Sequence, residues 1–172
     1  TGREAAQRFE IPLPAGTLFT SNGRLCSFII GVVSVGLPFK PGYCDVVGSW
    51  LPFEDDVTIA VENQGGTYIA TTDKTYFFPG DLGDTQSIVS NPVPHGAVPG
   101  TVFAIPDKNL VGWFGTLGMV LADTQGQVTE LMNDNIDLTA PEDGTAVVFQ
   151  SNGFMRVVSC GWSVNIENKA TT

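Results

Sequence analysis

The chain of 172 residues is long enough for one domain with a substantial core. Apolar residues make up 42% and charged residues 15%, which excludes the weakly hydrophobic, highly charged composition of a disordered segment. Eighteen acids against eight bases leave a net charge of −10, so nucleic acid and acidic membrane surfaces are repelled, and neither is expected as a direct partner.

Residues 1–9, TGREAAQRF, have a short helical composition and read as an N-terminal arm; residues 10–172 read as a single β domain. Thr1–Arg8 holds no apolar leader, and the chain opens without Met, so a fragment or a processed form is expected. Leu18–Thr20, Asn22-Gly23 and Leu25–Ser34 have the form of a hairpin, because Asn-Gly readily supplies the positive φ angles of a type I′ turn. The run Phe28–Leu37 is too short to cross a bilayer and reads as a buried strand. Gly65-Gly66 separates the strands Val57–Val61 and Thr67–Thr72.

Residues 78–106 are rich in proline and glycine and predict a long surface excursion with at most short edge strands. Strands follow at Leu110–Phe114 and Leu117–Ala122, then a turn at Asp123–Gly126 and a short helix near Val128–Met132. Asp143-Gly144 opens the strand Thr145–Gln150, and Asn152-Gly153 turns it into Phe154–Ile166. In that last strand Arg156, Val158, Cys160, Trp162, Val164 and Ile166 share the more apolar face, which is expected to meet the core. Eight to ten short strands without alternating helices predict an all-β, antiparallel β-sandwich or jelly-roll-like barrel with long Pro/Gly-rich loops.

The residues carry little chemistry. His95 is the single histidine, and no G-x-S-x-G nucleophile elbow accompanies it. Asp84-Thr85-Gln86 and Asp123-Thr124-Gln125 lack the glycine of an aspartic-protease motif and read as turns. No phosphate loop or dinucleotide fingerprint occurs. Cys26, Cys44 and Cys160 are an odd, sparse set and read as buried free thiols. No catalytic residue is therefore assigned and no enzyme is expected. No cofactor is expected either; structural calcium at the clusters Glu54-Asp55-Asp56, Asp81 with Asp84, or Asp134 with Asp137 is the minor alternative. The excursion supplies the expected binding residues, Asp81, Asp84, Pro94, His95 and Gly96, because prolines lower the entropy cost of holding a binding-ready loop.

Phe154, Arg156, Val157, Val158, Ser159 and Gly161, leading into an Asn- and Thr-containing tail, resemble a strand of nodavirus- and tombusvirus-like coat proteins. The resemblance covers about a ninth of the chain, and the Arg/Lys-rich arm usual in such proteins is missing: only Arg3 and Arg8 stand near the start. It implies a structural polypeptide of the virion, a shell fragment or a projecting domain. Such a polypeptide self-associates into symmetric oligomers or a capsid and presents loops to a host receptor or glycan. The alternative is a lectin-like or adhesin-like β-sandwich that binds carbohydrate or protein.

Overall fold

The computed structural model describes residues 10–83, 93–105, 107–115, 118–131, 137–161 and 163–165. The expected arm, Asp84, Asp134, Trp162 and Ile166 lie outside the described residues. The chain enters as β1 (Glu10–Pro12) and continues into β2 (Thr17–Ser21). Asn22 and Gly23, at φ 48° and 74°, turn β2 onto β3 (Arg24–Ile29), as a type I′ turn requires. β3 then stops earlier than the apolar run predicts. Ile30 and Gly31 turn the chain into β4 (Val32–Leu37), so Phe28–Leu37 is a hairpin and not one strand. Gly31 suits this corner because a Cβ there would lie 3.0 Å from the Phe53 carbonyl oxygen. Ile30 takes φ 51° and is 70% exposed, an unusual place for a β-branched residue.

Pro38-Phe39 turns β4 into β5 (Lys40–Asp45), and β6 (Trp50–Pro52) returns to pair with β4. Phe39 holds φ 61° at the position after proline, where a type II turn normally places glycine, and its ring is fully exposed. Phe39→Gly is therefore expected to raise the unfolding free energy by about 0.5–1 kcal/mol, since the left-handed penalty exceeds the added chain entropy of glycine. Urea unfolding checks this; a loss of stability would mean that the ring has packing partners.

Next come β7 (Val57–Asn63), β8 (Gly66–Thr71) and β9 (Thr75–Pro79), which form a three-stranded sheet. β10 (Phe103–Ile105), β11 (Leu110–Gly115), β12 (Gly118–Ala122) and β13 (Val128–Leu131) form a second meander. β14 (Asp137–Thr139) pairs with β17 (Ser163–Asn165), and β15 (Thr145–Ser151) pairs with β16 (Phe154–Cys160). All these pairings are antiparallel, and no helix occurs among the described residues. The helix expected near Val128–Met132 is replaced by β13. Its period is two: Val128 and Glu130 are half-buried, while Thr129 and Leu131 are exposed, and pairing with β12 satisfies its backbone.

The described strands make open sheets, not the jelly-roll-like barrel among the expectations. Every residue of β8 is buried, which requires cover on both faces. On one side Ile69 and Phe78 pack with Cys26, Phe28, Val33 and Val35 of the β1–β6 sheet. On the other, Tyr68, Ala70 and Phe77 pack with Val111, Trp113, Val120 and Ala122 of the β10–β13 sheet. The β7–β9 sheet is thus the middle of three layers. Polar atoms inside it are paired: the hydroxyls of Ser21 and Thr67 lie 2.6 Å apart, and the Tyr68 hydroxyl donates to the Asp123 carbonyl at 2.7 Å.

Two further expectations are corrected. The second half of the excursion is not a surface loop: Gly96, Ala97, Val98, Thr101 and Phe103 are buried. Its backbone finds partners in the core sheets, with Ala97 N–H donating to Thr71 and Val98 N–H to Phe114, so burial leaves those donors paired. In β16 the faces are reversed: Val157 and Ser159 are half-buried, while Val158 and Cys160 are exposed. Alternation sets the period of a strand, but only the neighbouring elements choose which face they cover.

Candidate binding cleft and exposed hairpin

Three turns converge at one end of the layered sheets: β2–β3, β7–β8 and β10–β11. Between them lies a cleft of about 610 Å³. Its apolar lining comes from half-buried Phe19, Val61 and Ile105, and its polar rim from exposed Asn22, Gln64, Asp107 and Asn109. A second depression of about 440 Å³ continues past Gln64 and Asn109 toward Thr124 and Gln125.

Local backbone chemistry places the rim. Asn22, Asp107 and Asn109 all hold positive φ, at 48°, 61° and 50°. Short polar side chains tolerate this region better than other non-glycine residues. Hydrogen bonds then tie the turns together. The Glu62 carboxylate accepts from Asn22 N–H at 2.7 Å and from the Thr20 hydroxyl at 3.1 Å. Buried Asn63 donates to the Asn109 carbonyl at 3.1 Å, and its own side-chain oxygen accepts from Gln64 N–H at 2.7 Å. The side-chain amides of Asn22, Gln64 and Asn109 and the Asp107 carboxylate make no hydrogen bond among the described residues. The cleft therefore has a rigid frame and unengaged polar groups on its rim.

The residues expected from sequence do not assemble there. Asp81 follows Gly80, which lines the cleft, but its carboxylate turns away to Arg24. Arg24 donates from Nε at 2.9 Å and from Nη2 at 2.7 Å, and its Nη1 reaches the Gly36 carbonyl at 3.2 Å. Gly83 N–H adds a bond at 2.8 Å. Burial alone would push the Asp81 carboxyl up. The hydrogen bonds from Arg24 and Gly83 and the Arg24 charge outweigh it and hold the group below its ordinary range. Asp81 is thus a clamp that fixes the end of β9 against the β2–β3 hairpin, one wall of the cleft.

Pro94, His95 and Gly96 lie at the other end of β9, where Val93 bridges Thr75. Pro94 is exposed. His95 is half-buried, with Nδ1 3.5 Å from Glu130 Oε2 and its carbonyl accepting from the Thr75 hydroxyl at 2.5 Å. Gly96 is structural, since a Cβ there would overlap the Thr72 carbonyl. Asp84 lies outside the described residues. Asn22 was legible only as a turn residue, and Gln64, Asp107 and Asn109 carried no functional signal in sequence. The cluster Asp107-Lys108-Asn109 after Pro106 was the available clue, since Asp and Asn after proline favour a left-handed turn.

A second feature is the β15–β16 hairpin. Its 16 residues carry one charge, Arg156, and its large apolar side chains Val147, Phe149, Phe154, Met155 and Val158 are exposed. Phe154 is 69% exposed.

Cys26 and Cys44 are buried free thiols, and burial pushes both thiol pKa values up, which leaves them poor nucleophiles; Cys160 is free and exposed. No group of three His, Cys, Asp or Glu side chains arranged to hold a metal occurs among the described residues. No protein-family model matches the chain, no curated protein matches it, and no solved structure matches its fold.

Proposed function

We propose that the chain is a structural coat polypeptide of a small icosahedral virus, a shell fragment or a projecting domain, that self-associates on the virion surface. The observation that carries this reading is the β15–β16 hairpin. A chain of net charge −10 repels its own copies, and contact costs least where charge is sparse and apolar side chains are exposed. The hairpin combines both properties. It also holds Phe154, Arg156, Val157, Val158 and Ser159, the residues that carry the resemblance to coat proteins. A two-stranded hairpin is marginal by itself, so a partner on its open face adds stability. Acidity favours an outward location, away from the genome, and no catalytic role is proposed.

The expected result is a dimer or trimer at about 100 μM by sedimentation velocity, driven by burial of the hairpin. Phe154→Asp combined with Val158→Asp should return it to monomer with an unchanged circular-dichroism spectrum. A parent chain that is monomeric at that concentration, or a variant that still associates, would remove the hairpin from the reading.

The cleft favours a second reading, a lectin-like or adhesin-like module. It offers unengaged amides beside an apolar wall, which suits a ligand that carries both hydroxyl groups and C–H faces.

A further inference from the structure

We infer that the cleft between the β2–β3, β7–β8 and β10–β11 turns binds a neutral saccharide of one or two rings. The inference rests on the carbohydrate-binding reading and names the ligand class and the residues that meet it. Its volume, about 610 Å³, falls within the range of small-molecule sites. A sugar hydroxyl is both donor and acceptor, and a primary amide offers two donors and a carbonyl oxygen. Asn22, Gln64 and Asn109 present three such amides from three different turns, and none is engaged in a hydrogen bond among the described residues. Asp107 adds a pure acceptor. Half-buried Phe19 and Val61 offer the apolar surface on which the C–H face of a pyranose ring packs.

The rim is organised before any ligand arrives. Glu62 and Asn63 are consumed in holding the turns, and their bonds fix the backbone beneath Asn22, Gln64 and Asn109. Three non-glycine residues on this rim are in the left-handed region. Such conformations persist where surrounding structure over-determines them, and they concentrate at ligand sites. Preorganisation of this kind lowers the entropy lost on binding. Charge sets the class of sugar. Glu62 and Asp107 stand at the cleft, Lys108 is the one base among the described residues lining either depression, and the whole chain is strongly acidic, so a sialylated or sulfated sugar is disfavoured.

The test uses the whole chain and four probes: lactose, maltose, N,N′-diacetylchitobiose, and sialyllactose as the anionic control. Saturation-transfer NMR detects binding, and amide shifts in a two-dimensional spectrum locate it. At least one neutral disaccharide should bind, shift the amides around Asn22, Gln64 and Asn109, and outcompete sialyllactose. Asn22→Gly with Asn109→Gly deletes two amides while keeping residues suited to positive φ, and should weaken binding about tenfold or more. Gln64→Ala, at an exposed side chain without a partner among the described residues, carries the same test should the double variant misfold. Binding that these variants leave unchanged, or that maps elsewhere, overturns the assignment of the cleft and leaves the carbohydrate reading standing. Preference for sialyllactose overturns the neutral class. Failure of all three neutral sugars overturns both the cleft and the carbohydrate reading.

Discussion

Trp113→Ala is expected to cost about 3–5 kcal/mol, roughly a third or more of the stability of an ordinary domain. Trp113 is fully buried between the β7–β9 and β10–β13 sheets, with its ring centroid 5.9 Å from that of Tyr68. Removing it leaves a cavity that Val120, Ala97 and Ala122 are too small to fill by relaxation. Trp113→Phe should cost far less. The indole Nε1 finds no acceptor among the described residues, so the tryptophan carries a desolvation penalty of about 1–3 kcal/mol that phenylalanine avoids. Urea unfolding of the three proteins, read from midpoints at constant slope, separates these cases. A loss below about 1 kcal/mol for the alanine variant would show that the two outer layers do not depend on this contact.

The second large effect is expected at the Arg24–Asp81 clamp. Arg24→Ala removes the guanidinium bonds to Asp81 and the bond to Gly36, and leaves a partly buried carboxylate without its guanidinium partner, while the bond from Gly83 N–H remains. A loss of about 2 kcal/mol at neutral pH follows from hydrogen bonds to charged groups, discounted for partial exposure of the pair. The pH dependence has a definite sign. Asp81 titrates lower in the folded chain than its ordinary value of 3.8. Its contribution is complete above that value, where the group is ionised in both states. It fades as pH falls through the depressed folded value, because the unfolded chain takes up the proton first. Stability of the parent should therefore drop as pH falls below about 4 more steeply than that of Arg24→Ala. Equal acid limbs in thermal melts would show that the pair contributes nothing. The same substitution frees the end of β9 from one wall of the cleft, so any ligand affinity should fall with it.

Much of the strand content was present in local chemistry. Asn22-Gly23 and Asn152-Gly153 turn their hairpins as expected, because paired positive φ angles are a property of those residues and need no tertiary help. The Asp123 turn also forms as read, with the carboxylate accepting from Gln125 and Gln127 N–H. Structure and expectation part where a residue acts against its own preference. Ile30 and Phe39 occupy turn positions that propensity assigns to glycine or asparagine, so the break at Ile30 inside the run Phe28–Leu37 has no local signal. The strand character of β13 has no local signature, because four residues cannot display a period without the strand they pair with.

The candidate site was largely illegible. Asn22, Gln64, Asp107 and Asn109 are spread over 88 positions of sequence, and each is an ordinary turn residue in its own neighbourhood. Their convergence follows from Glu62 and Asn63, which bond across turns far apart in the chain. Residue identity, local dihedrals and summed charge suffice for the all-β class, the Asn-Gly turns and the net charge of −10. Tertiary structure decided the three-layer stacking, the exposed face of β16 and the burial of Ala97 and Val98. It also decided which polar side chains remain without a partner. The physical reason is that a strand's period is local, whereas the face it buries and the hydrogen bonds its side chains keep depend on elements distant in sequence.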